Sequence, residues 1–233
     1  MARVRIAVAL LVALLAAGCG GGDAGVRSRP FSLGYLAKSD VDVVSDLHLR
    51  VSFDLLRQLA VKLYKRNPAE WRRSGAGSLK ERVDALFPDP LHWNHPGLGG
   101  RRGSEAVLLA FEPGYRGDRV LAFVAGLSAM TYVAYGSRTE SYLLDQLDPQ
   151  KLYNLARNLE IAAWKLRTGV DGSGRPWLLS TSLDPEAPNL SFERLFGQLI
   201  SLQDMMARIV AEKTNRTIRT VVQQMATAVF LPI

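Results

Sequence analysis

The chain has 233 residues, of which 48% are hydrophobic and 22% charged, with a formal net charge of +7. That balance excludes a disordered polypeptide and supplies enough apolar surface for a substantial core. The single cysteine excludes a disulfide-stapled scaffold, and no basic stripe with interleaved aromatics points to nucleic acid.

In chain order, the first element is residues 1–19. Arg3 and Arg5 give a basic start, residues 6–17 are apolar without interruption, and Ala16, Ala17 and Gly18 are small residues directly before Cys19. This is the layout of a secretory signal peptide, too short to span a bilayer and remain there. The cysteine at the cut site resembles the lipobox of bacterial lipoproteins, in which the thiol is lipidated and becomes the new N-terminus. The usual family pattern has Leu three residues before the cysteine; here Ala16 holds that position and Leu15 lies one step earlier. An ordinary secretory peptide cut by the general signal peptidase, and a short uncleaved anchor, are the alternatives. A lone free thiol in an oxidising compartment would be a liability that lipidation removes.

The resemblance implies a membrane partner, held through acyl chains such as palmitate on Cys19. Stable anchoring needs more than one chain, at about 0.8 kcal/mol per buried methylene. By the same resemblance, Gly20 after the cysteine implies an outer-membrane address on the periplasmic face. An Asp there would imply the inner membrane, which Asp23, further along, leaves as the lesser alternative. Removal of residues 1–18 takes away two of the 29 basic residues and no acidic one, leaving 215 residues with a charge of +5. A moderately basic surface suits a solvated exterior, and secondarily anionic lipid or an envelope partner.

Residues 19–38 read as the lipidated N-terminus and a tether, with the triple glycine 20–22 and Pro30. As a flexible coil it reaches roughly 25 Å. Residues 39–233 then read as one helical domain. Ser39 with Asp42 forms a capping box, and Val44, Leu47, Val51, Leu55, Leu59 and Leu63 recur at helical spacing until Pro68. Ser78 with Glu81 opens a short helix ending near Phe87. Residues 88–103 are a Pro/Gly/His-rich loop, and Ser104 caps a short helix to Phe111. Residues 120–135 carry no charge, at the lower limit of a membrane span, but Gly126, Ser128 and Thr131 dilute them. They predict a central helix, apolar on every face because other helices surround it.

Asp148 and Pro149 form a strong helix start, followed by Leu152, Leu155, Leu159, Ala162 and Leu166 and a stop at Gly169. Residues 172–188 form a loop with a short extended piece at residues 177–179. Ser191 opens a last helical region bearing Phe192, Leu195, Leu199, Leu202, Met206 and Ile209. Ile218, Val221, Met225 and Val229 carry the stripe onward, as one helix or as two with a break at Thr214 and Asn215. The apolar end, residues 229–233, is expected to pack on the domain. With no repeat and no β-alternation, the fold class is all-α, five to seven helices around a central apolar helix.

Candidate chemistry is sparse. His92 and His95 stand three apart in a loop, near Asp84 and Asp89, and are a weak metal pair that favours a structural loop. His48 flanks the first apolar stripe as a hydrogen-bonded, partly buried residue. Gly126 and Ser128 begin like a nucleophile elbow but lack its second glycine and its strand. Arg157 and Glu160 suit an ion pair on one helix face. Arg72, Arg73, Arg101 and Arg102 offer a basic contact for an anionic surface. No cofactor motif stands out.

The segments 148–154, 189–197 and 62–68 look similar to a group of proteobacterial lipoproteins of uncharacterised activity. That likeness covers most of the mature chain and implies no reaction. The expectation is therefore a lipid-anchored, periplasm-facing binding or scaffolding protein without enzymatic activity. The rivals are a cell-wall or lipid-modifying enzyme using two of His48, His92, His95 and Glu160, and a carrier of an apolar ligand between helices.

Overall fold

The structure, a computed structural model, describes residues 40–87, 95–138, 147–220 and 228–233. Cys19, the signal and tether segments, the Ser39 cap, Asp89, His92, Val221 and Met225 lie outside the described residues. Among the described residues the fold is all-α. Its seven helices are α1 (Asp40–Arg66), α2 (Pro68–Arg72), α3 (Leu79–Leu86), α4 (Gly103–Leu109), α5 (Arg119–Ala134), α6 (Pro149–Thr168) and α7 (Ser191–Thr214). Extended pairing is confined there to two isolated bridges, Val170 with Pro176 and Ser182 with Asn189.

The boundaries follow local chemistry. The Ser78 hydroxyl caps α3 by accepting from the Glu81 N–H at 3.1 Å, and the Glu81 carboxylate reaches back to accept from the Gly77 N–H at 2.9 Å, one residue before the cap that a capping box would use. Asp148 caps α6 by accepting from the Gln150 N–H at 2.9 Å, with Pro149 at the first helical position. Pro68 ends α1 but also starts α2. Asn215, with φ of 50°, closes α7 in the left-handed conformation. Residues 216–220 are not helical, so the stripe does not continue through Ile218 as helix. Ser104 lies inside the first turn of α4, whose cap is Arg102. Residues 177–179 form no strand. Instead the Asn67 amide pairs with both backbone groups of Leu179, at 2.8 and 2.9 Å.

α5 is the centre, as its lack of charge predicts. Every residue of it except Val133 is buried, and α1, α2, α3, α4 and α6 pack against it. Phe123 meets Phe111 and Phe196 edge-on, with ring centroids 5.9 and 6.4 Å apart. α7 packs on α6 and α1. No helix among the described residues is long and apolar enough to cross a membrane.

The α1 stripe departs from expectation in its first half. Leu47 is 50% exposed, while Asp42, Ser45, Asp46 and Ser52 are buried. Polar partners on α7 explain the exchange. Tyr135 donates to the Gln203 carbonyl oxygen at 2.8 Å, Gln203 donates to Ser52 at 2.8 Å, and Ser52 donates to the His48 carbonyl at 2.7 Å. Lys213 faces Asp42 at 3.6 Å. A buried hydrogen-bonded chain thus occupies positions that an apolar stripe would have filled.

Candidate functional site

The predicted acid–base residues are placed apart. His48 lies between α1 and α7, where its Nδ1–H donates to the Leu202 carbonyl at 3.3 Å. Glu160 pairs with Arg157 at 3.0 Å, as its spacing suggests, and Arg157 also reaches Asp204 on α7 at 2.8 Å, a partner that sequence reasoning missed. Burial pushes the Glu160 carboxyl up against the opposing pull of Arg157. His95 sits half-buried in the field of Arg82. Asp84 is engaged by Lys80 at 2.7 Å. Among the described residues no group of three or more His, Cys, Asp or Glu side chains is placed to hold a metal ion. Ser128 is fully buried in the middle of α5, with no hydrogen bond to its hydroxyl.

Both described histidines give a pH signature. Burial holds each below the ordinary 6.5, and the Leu202 carbonyl only partly offsets this for His48. The unfolded chain therefore binds more protons than the native one as pH falls through 6.5, and stability drops in that direction. Thermal unfolding between about pH 7.5 and 6 is expected to show a falling midpoint, shallower in His48→Asn. A midpoint that fell as steeply in His48→Asn as in the parent would contradict the burial of that ring.

Three of the four singled-out arginines, Arg72, Arg73 and Arg101, lie around the start of α5 as one pole without forming a single free basic face, while Arg102 lines a cleft farther along α5. Arg73 pairs with Glu70 at 2.7 Å, Arg101 with Glu112 at 2.9 Å, and Arg72 lies over the Trp71 ring at 5.6 Å. Glu70 in turn accepts from the Arg119 N–H at 2.7 Å. The Arg119 guanidinium donates to the carbonyls of Ala110, Glu112 and Tyr115, at 2.6 to 3.0 Å, and stacks 4.2 Å above Trp177. Beside it Asp118 accepts from Tyr64 at 2.7 Å and pairs with Arg82 at 2.8 Å. Burial, then the Asp118 charge, pushes the Tyr64 hydroxyl up, so it stays a donor. The pole ties α1, α2 and α3 to the start of α5, which is structural work.

A concavity lies toward the other end of α5. A cleft of about 550 Å³ is walled by Ala129, Met130, Tyr132 and Val133, by the first turn of α4 with Arg102 and Glu105, and by residues 230–233. Its size is that of small-ligand sites. Two backbone facts make it. Gly126 lets α4 cross α5 closely: a Cβ there would stand 2.6 Å from the Gly103 carbonyl and 2.7 Å from the Val107 nitrogen. The C-terminal wall is hung on α6, where Asn158 pairs with both backbone groups of Leu231 at 2.7 and 2.9 Å. Of residues 229–233, Phe230 and Ile233 pack against the core as expected, whereas Val229 and Pro232 are exposed. Of the candidate site residues that are described, only Arg102 reaches this cleft; His48, His95 and Glu160 do not line it. Asn154 and Asn158 went unread, although Gln150, Asn154 and Asn158 at intervals of four are a visible polar stripe beside the apolar one.

The site is thus an apolar-walled cleft with a mixed polar rim on an all-α body. Comparison with family models, with curated proteins and with solved structures finds no match.

Proposed function

We propose that the protein is a lipid-anchored binding module of the cell envelope, exported, acylated on Cys19 and facing the periplasm from the outer membrane. The observation that carries this reading is the basic start, apolar run and small residues that end on the sole cysteine. The helical body supports it by offering a formed cleft while His48 and Glu160 are each held by structural partners. The test is the intact mass of the membrane-extracted protein. The mature chain is expected to begin at Cys19 and carry acyl mass, and Cys19→Ser to lose that mass and leave the membrane fraction. An unacylated mature N-terminus would sink the reading.

A second reading, carriage of an apolar ligand, draws support from the cleft itself, since four of its wall residues belong to the apolar stretch 120–135. A fluorescent fatty acid is expected to bind the full chain, and Ala129→Trp, which fills the cleft, to weaken that binding about tenfold or more. Unchanged binding in Ala129→Trp would remove the cleft from the argument.

A further inference from the structure

Gln150, Asn154 and Asn158 stand one turn apart along α6 and share a stripe. Each is bonded to main-chain atoms of segments far along the chain. Asn158 donates to the Leu231 carbonyl at 2.9 Å and accepts from the Leu231 N–H at 2.7 Å. Gln150 treats Arg219 in the same way, at 3.1 and 2.8 Å. Asn154 donates to the Pro232 carbonyl at 2.8 Å and accepts from Gln150 at 2.9 Å, which ties the stripe together. Residues 216–220 and 228–233 are neither helix nor strand. Helix side chains therefore replace the partners that a sheet would supply.

This is strand addition carried over to a helix face: main-chain bonds give affinity, and apolar side chains set the preference. We propose that the α6 amide stripe and the adjoining cleft form a groove for an extended apolar segment of a partner protein, with residues 228–233 of this chain as its resident occupant. The proposal deepens the binding-module reading and rests on it, though not on the anchor.

Three observations carry it. The bonds of Asn158 and Asn154 to the occupant go to backbone atoms alone, so another extended segment satisfies them equally. Asn158 is wholly buried and lies 3.7 Å from the sulfur of Met130, a cleft residue, so the stripe and the cleft are continuous. A buried amide needs its partners, and the groove must be filled by this segment or by an equivalent one. Lastly, the occupant is peripheral: Val229 is 72% exposed and Pro232 is exposed, which marks a segment that opens before the helices do. Only the carbonyl of Pro232 is used, so a proline costs nothing there. The partner's segment is accordingly extended and apolar, with a proline tolerated at the position equivalent to Pro232.

An intramolecular occupant competes at an effective concentration on the order of millimolar. The test uses the full chain in detergent and the acetylated, amidated peptide of residues 228–233 with a fluorescent label, followed by anisotropy. Deletion of residues 228–233, and separately Phe230→Asp in the intact chain, empties the groove. Both are expected to bind the peptide at least about tenfold more tightly than the unaltered chain. N-methylation of the peptide's leucine, which removes the N–H that Asn158 accepts, is expected to abolish the gain. If the deletion variant is unfolded, peptide in trans is expected to restore its helical circular dichroism. A folded variant that binds no better than the unaltered chain overturns the proposal. So does equal binding of the N-methylated peptide, or an unfolded deletion variant that excess peptide does not refold. Binding of the fatty-acid probe to the intact chain is independent of these outcomes, so failure here is distinguishable from failure of the binding-module reading.

Discussion

Gly126→Ala is expected to destabilise the protein by about 2 kcal/mol, although alanine is the better helix former by about 1 kcal/mol. The added methyl would meet the Gly103 carbonyl at 2.6 Å, the Val107 nitrogen at 2.7 Å and a Val107 methyl at 2.7 Å. Two of these three atoms are backbone, so no rotamer change relieves the contact and α4 must move away from α5. Overpacking of this kind costs about 1–3 kcal/mol, at or above the upper end when backbone is what must yield. For a chain of this length the loss corresponds to a drop of roughly 4–8 °C in the unfolding midpoint. Gly126→Val adds two more carbons at the same place and is expected to leave little folded protein, since total stabilities are only about 5–15 kcal/mol. Thermal unfolding followed by circular dichroism checks both. An alanine variant as stable as the parent would mean that α4 and α5 do not cross this closely. The same displacement moves Arg102 and Glu105, which wall the cleft, so a surviving alanine variant should also bind cleft ligands less well.

Gly126 illustrates what the sequence discloses and what it withholds. Read along the chain, it begins an aborted nucleophile elbow; its actual constraint lies in α4, some twenty residues earlier, and emerges only when the helices cross. Elements set by neighbouring residues were legible: the caps at Ser78 and Asp148, the stop at Gly169, the uncharged central helix, the break at Asn215. Even there the reason differs in detail. Gly169 has φ of −69°, not a left-handed value, and is glycine because a Cβ would stand 2.7 Å from the Lys165 carbonyl and 2.9 Å from the Phe111 ring. The first half of α1 misled because its buried positions are polar, satisfied by Gln203 and Lys213 from the far end of the chain. The candidate site was the least legible part. Asn154 and Asn158 bind backbone atoms more than seventy residues away, and a backbone partner leaves no complementary side chain for pattern reading to find.

Asp118→Ala is expected to cost about 3–5 kcal/mol, because one carboxylate serves three partners from different parts of the fold. It caps α5 by accepting from the Leu121 N–H at 2.8 Å, accepts the Tyr64 hydroxyl at 2.7 Å and pairs with Arg82 at 2.8 Å. Loss of the cap alone is worth about 1 kcal/mol. The larger part comes from what stays behind. The Arg82 side chain is only 15% exposed and Tyr64 is fully buried, so a cation and a hydroxyl would be left in low dielectric without their acceptor. Asp118→Asn separates the contributions: its single amide oxygen can still cap the helix as Oδ1 does, but an NH2 group then replaces the Oδ2 that accepts from Tyr64 and Arg82. It is expected to lose most of what alanine loses. If Asn and Ala were equally damaging, the oxygen shared by Tyr64 and Arg82 would carry the whole effect; if Asn were neutral, the cap would. Because the group is buried, the difference should change little between low and moderate salt. The cleft lies at residues 129–133, several turns further along α5. An Asp118 variant held well below its unfolding midpoint should therefore bind cleft ligands normally, whereas Gly126→Ala should not. That contrast separates a residue that holds the bundle together from one that shapes its binding surface.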